Sequence, residues 1–177
     1  MNLNTLLESC LALIDKQEDI NKFEILYRKY VKLLYQFAKN KLMDEQLTED
    51  AVCLTFIRIA KNMHMIQEPI SDKTMHLLLV IENRIIIDIS RKKRGKNVSK
   101  ISLEEMDNLS VEIDTDGNAN LTKALSKLPY PYKDVLVLKY AYGYSNKEIA
   151  CFLELSVANM EKIITRGRKK LKMILEQ

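Results

Sequence analysis

The sequence predicts an all-α protein: two small helical domains joined by an acidic flexible linker, the C-terminal domain a helix-turn-helix. Three observations carry that reading. Apolar residues recur every three or four positions, and only four glycines and three prolines punctuate 177 residues. Charge reverses sign after Lys100, which divides the chain. Between Ser145 and Lys172, two capped helix starts follow each other closely and end in a basic run.

Taken in order, Asn4 to Asp15 reads as a short helix carrying Leu6, Leu7, Leu11 and Leu13. A longer helix is expected from about Ile20 to Leu42, its apolar face formed by Phe23, Leu26, Tyr27, Tyr30, Leu33, Leu34 and Phe37. Thr48-Glu49-Asp50 reads as a helix opening, a hydroxyl cap followed by two acids that suit the positive end of the dipole. Val52, Phe56 and Ile59, with Cys53, then face inward. Glu68-Pro69-Ile70-Ser71-Asp72 interrupts the pattern, and a further helix runs from Ser71 or Asp72 to about Arg94. Its centre is rich in β-branched residues, but its length and polar breaks favour helix over strand.

Arg91, Lys92, Lys93, Arg94, Lys96 and Lys100 form a basic run. From Ile101 to Asn120 there is no lysine or arginine, while Glu104, Glu105, Asp107, Glu112, Asp114 and Asp116 are acidic. That composition predicts a linker and hence three parts: an N-terminal domain over 1–95, the linker over 96–120 and a C-terminal domain over 121–177. Beyond it, Leu125, Leu128, Val135, Leu136 and Leu138 supply a second core. Pro129 and Pro131 mark a turn between helices, and Gly143 ends the one before Ser145.

Ser145 with Glu148 makes a capping box, and Ile149, Ala150, Leu153 and Leu155 give the first short helix its apolar face. Ser156 opens a second helix with Met160, Ile163, Ile164 and Leu171 inward and Asn159, Glu161, Lys162, Thr165, Arg166, Arg168 and Lys169 outward. Small Ala150 suits a close helix crossing. Such a layout puts its second helix in a major groove, with the terminal basic cluster within reach of phosphates.

A net charge of +4 is a weak sign of nucleic acid by itself. Cys10, Cys53 and Cys151 form no CxxC pair and read as reduced, buried thiols, and His64 and His76 have no metal-ligand partners at useful spacing. No Gly-rich phosphate loop, metal cluster or nucleophile–base pair is evident, so neither enzyme activity, catalytic residues nor a cofactor is expected. No signal-peptide pattern and no apolar run long enough to span a bilayer is present. The expectation is a cytoplasmic, nucleoid-associated protein without membrane insertion.

Leu128-Pro129, Tyr132 to Leu138, Gly143-Tyr144-Ser145, Lys147-Glu148-Ile149-Ala150 and Arg166 to Leu171 together resemble the promoter −35-reading domain of sigma-70 family initiation factors. Leu26-Tyr27 with Tyr30, Glu49-Asp50 before Phe56, and Ile87-Asp88 before the basic run are similar to that family's N-terminal domain. Two linked helical domains without large insertions match its extracytoplasmic-function group. Cys53 and Leu54 stand where the family often has Gln and Glu, no tryptophan is present, and Met160-Glu161-Lys162-Ile163 replaces the usual Val-Lys-Ser-Arg.

The resemblance implies a dissociable subunit of core RNA polymerase that binds promoter DNA, with an anti-sigma factor as a further kind of partner. It assigns polymerase docking to Glu49, Asp50, Phe56 and Arg58. It assigns the −10 element to Asn83, Arg84, Asp88, Arg91 and Lys92, and an extruded base to the loop from Asn62 to Ser71. The −35 element falls to Ser156, Ala158, Asn159, Lys162, Thr165, Arg166, Arg168 and Lys169, and the acidic linker to the polymerase's basic channel. Two alternatives stay open: a free-standing helix-turn-helix regulator acting without polymerase, and a helical adaptor that binds only protein.

Overall fold

The computed structural model describes residues 3–94 and 119–176, and all of their regular structure is helical. The α-helices are α1 (Leu3–Leu11), α2 (Gln17–Leu42), α3 (Glu45–Lys61), α4 (Asp72–Arg94), α5 (Ala119–Ser126), α6 (Tyr132–Tyr140), α7 (Asn146–Phe152) and α8 (Val157–Leu175), with a 3-10 turn at Met63–Met65. The chain divides into two compact units, Met1–Asn97 and Val98–Gln177. The acidic segment lies largely outside the described residues. Among the described residues no helix is long and apolar enough to cross a membrane.

In the first unit α2, α3 and α4 pack mutually, and α1 lies against α2 and α3. The ring of Tyr27 sits 4.7 Å from that of Phe56, and Phe23 meets Phe56 edge-on at 6.1 Å. Leu77, Leu78, Ile81 and Ile86 of α4 are fully buried against this cluster's surroundings. Burial on several sides therefore holds the β-branched run of α4 as helix despite its weak intrinsic preference. The α2–α3 corner is tight: Met43 adopts φ 50° and donates its N–H to Lys39 O, and Asp44 then caps α3 by accepting from Leu47 N at 3.1 Å. Thr48 is therefore not the cap, as the sequence suggested. It lies buried inside the helix, its hydroxyl donating back to Asp44 O at 2.7 Å.

Two other expectations also fail. The helix of α1 stops at Leu11, which leaves Leu13 exposed. Leu33 falls on the outer side of α2, 42% exposed.

In the second unit α5, α6 and α7 all pack on α8, around Leu128, Val135, Leu138, Ile149, Phe152 and Met160. α8 packs tightly on α6 at Gly167. A Cβ there would lie 3.3 Å from Tyr132 Cβ and 3.4 Å from Leu136 Cδ1. Gly143 takes φ 72° in the turn between α6 and α7, a left-handed conformation that glycine adopts without strain.

Candidate nucleic-acid interface

In the C-terminal unit the helix-turn-helix is built by local hydrogen bonds. Ser145 Oγ accepts from Glu148 N at 3.2 Å, while Ser145 N donates to Glu148 Oε2 at 2.8 Å, closing the capping box. Lys139 Nζ donates to Asn146 Oδ1 and ties the start of α7 to α6. α7 ends at a turn where Glu154 adopts φ 49° and Leu155 N donates to Ala150 O at 2.8 Å. Ser156 then caps α8, accepting from Asn159 N at 3.2 Å. Ala150 is buried at this corner.

Met160, Ile164 and Gly167 anchor α8 inward, which turns the polar residues out. Ser156, Ala158, Asn159, Lys162, Thr165, Arg166, Arg168 and Lys169 are all exposed. At about 100° per residue, Ala158, Asn159, Lys162, Thr165, Arg166 and Lys169 share a stripe about 120° wide. Arg168 projects to one flank, on the side of Glu161, and Ser156 spends its hydroxyl on the cap. Lys170 on the other flank lies over the Tyr132 ring, 5.8 Å from its centroid.

In the N-terminal unit Arg84, Asp88 and Arg91 follow an i, i+4, i+7 spacing on α4, with Arg91 exposed and the other two half-buried. Asn83 is engaged elsewhere: Lys41 Nζ donates to its Oδ1 at 2.7 Å, tying α4 to α2. Lys92 joins Ile89 of α4 and Asp44, Leu47, Asp50, Cys53 and Leu54 around an open groove of about 680 Å³. Lys92 and Asp50, given to DNA and to polymerase respectively on sequence grounds, thus line one groove. Phe56 is fully buried in the aromatic cluster, so the expectation that it docks polymerase is corrected: it supports α3 from beneath. Glu49 and Arg58 are half-buried and Asp50 is exposed.

The loop before α4 is pinned at both ends. Met63 and Ile66 are buried, Thr74 Oγ1 donates to Glu68 O at 2.6 Å, Ser71 Oγ accepts from Thr74 N at 3.1 Å, and Tyr30 Oη donates to Ser71 O at 3.3 Å. His64, Gln67, Glu68 and Ile70 are left exposed.

The family model described as Sigma-70, region 4 matches residues 118–171, the span that holds this helix-turn-helix. The chain is 26% identical over 164 residues to the ECF RNA polymerase sigma factor SigX of Bacillus subtilis, covering 87% of this chain and 84% of SigX. It is 26% identical over 153 residues to the ECF RNA polymerase sigma factor SigM of the same organism, covering 84% of this chain and 92% of SigM. The solved sigma factor RpoE from Bartonella quintana, in complex with the anti-sigma factor NepR, aligns with TM-score 0.39 and 18% identity over 87% of this chain and 96% of that one. Residues 118–171 thus match a sigma-70 region 4 domain, and over most of its length the chain is similar to sigma factors of the extracytoplasmic-function group.

Sequence reasoning missed some of this protein's surface. Leu47, Leu54 and Ile89 were not singled out as site residues, yet they form the apolar wall of the groove, with Leu54 46% exposed. The available signal was the pair Leu47 and Leu54, aliphatic residues seven positions apart that share the helix face of Asp50. Gly167 was passed over too, although its missing side chain sets how closely α8 lies to α6.

Proposed function

We propose that this protein acts as a sigma factor, holding core RNA polymerase through the outer face of α3 and reading promoter DNA with α8 and the outer face of α4. Asn159 and Lys162 read base edges of the −35 element, the amide suited to adenine and the ammonium to guanine acceptors. Arg166, Arg168 and Lys169 neutralise phosphates and fix the helix in register. Arg84, Asp88, Arg91 and Lys92 face the −10 element, and the pinned loop from Asn62 to Ser71 offers backbone and polar groups to an extruded base. Asp50 and Leu54, with Glu49 and Arg58 beside them, dock the polymerase.

The observation that carries this reading is the exposed polar stripe of α8, opened by the Ser156 cap and raised on buried Met160, Ile164 and Gly167. Similarity to sigma factors over most of the chain favours a polymerase-bound factor over a free-standing regulator.

Run-off transcription with core polymerase, with and without this protein, tests the proposal. Promoter-directed transcript is expected only with the protein. Asn159→Ala is expected to lower discrimination at one base pair by about 1–3 kcal/mol, whereas Arg166→Ala weakens all sequences alike. Core polymerase that ignores the protein would sink the reading.

A further inference from the structure

The outer side of α2 carries a band of positive charge that no role so far assigned uses. Arg28, Lys29, Lys32 and Lys39 are exposed, opposite the buried Phe23, Leu26, Tyr27, Tyr30, Leu34 and Phe37. At about 100° per residue, Arg28, Lys32 and Lys39 fall within about 40° of one another, and Lys29 lies about 60° further round. Along the axis the band runs for about 16 Å at 1.5 Å per residue. From Ile25 to Met43 the sequence contains no aspartate or glutamate.

The first turns of the same helix make the contrast. There Lys22 is paired with Glu18 at 2.9 Å and Asp19 at 3.2 Å, the usual way a helix surface balances its charges. Arg28, Lys29 and Lys32 have no such pairing among the described residues. Arg28 and Lys32 stand four positions apart, where like charges repel and cost helix stability. An external polyanion relieves that repulsion.

We infer that this α2 face is a second, sequence-independent DNA surface that grips the phosphate backbone of duplex DNA. Duplex fits better than single strand. Single-strand sites combine a groove with exposed aromatic platforms, whereas this face is the convex side of a helix and its nearest ring, Tyr35, is half-buried under Lys39 at 5.8 Å. Backbone contacts of this kind position a protein without reading bases. The inference rests on the reading of the chain as a DNA-binding sigma factor.

The test measures binding of the full-length protein to a labelled duplex without promoter motifs, across a salt series. The variant combines Arg28→Gln, Lys29→Gln and Lys32→Gln, all good helix formers, and its fold is checked by circular dichroism. Each phosphate contact contributes about 0.9 to the slope of log affinity against log salt, so the slope should fall by about 2–3. Replacing Arg28 by Lys in an otherwise wild-type chain should keep it. Arg166→Gln with Arg168→Gln serves as comparator on α8.

An unchanged slope in the α2 variant, with the α8 variant weakened, overturns this surface and leaves the promoter reading standing. A change on single strands but not on duplex overturns it, as does loss of core polymerase binding with duplex affinity intact. Wild-type protein that binds no duplex at any salt concentration sinks both.

Discussion

Glu82 is fully buried on α4, and neither carboxylate oxygen has a hydrogen-bond partner among the described residues. Burial pushes its pKa well above the usual carboxylate range, and the charge of Lys41 only partly offsets that. Because the folded pKa exceeds the unfolded one, the folded state binds more protons, and stability falls as pH rises from about 4.3 through the raised value. Glu82→Gln removes the titration. Urea unfolding over a pH series should show a falling stability in the wild type that the variant lacks, and parallel curves would refute this account. The thiols differ in the same physical way. The Cys10 thiol is pushed up to about 12, by burial first and by Cys53 second, and burial also raises Cys53. Cys151 is exposed on α7, against the expectation that all three are buried. Iodoacetamide is therefore expected to label Cys151 first, Cys53 slowly and Cys10 only on unfolding, with peptide mapping as the readout.

At the scale of elements, α7 is only seven residues long, too short to hold itself in water. Its capping box and its packing against α6 and α8 keep it in place. Ser145→Ala should lower the stability of the C-terminal unit by about 1 kcal/mol, seen as a reduced Tm, while the stripe on α8 stays intact. The α6–α8 crossing is stiffer. At Gly167 the nearest atom is the Cβ of Tyr132, which cannot swing away as the tip of a long side chain would. Gly167→Val should cost about 1–3 kcal/mol through overpacking and shift α8. Weakened promoter binding without loss of any DNA-contacting residue is the expected signature, and full stability and binding would show that the crossing tolerates bulk.

For the whole molecule, two units each own a core: Phe23, Tyr27 and Phe56 in one, Phe152, Ile149 and Met160 in the other. Damage to one core should stay within it, because distant sites act additively. Phe56→Ala is expected to cost the N-terminal unit about 3–5 kcal/mol. Hydrogen exchange should then rise in α2, α3 and α4 and stay unchanged in α6 to α8. A rise in both would mean the units fold as one. Within this frame the pieces of the proposed function are separable: α3 for polymerase, α4 and α8 for promoter elements.

The sequence by itself determined the helical class, the capping box at Ser145, the cap at Ser156 and the outward stripe of α8. Each is a local matter of periodicity or of a hydroxyl three residues from an amide. Tertiary structure alone decided which of several apolar or polar candidates a face would use. Asp44 displaced Thr48 as the cap of α3, Phe56 turned out to be core, Leu33 went outside, and Leu47, Leu54 and Ile89 met in a groove with Lys92. Spacing along one helix fixes which residues share a side, but only the neighbouring helices fix which side is covered.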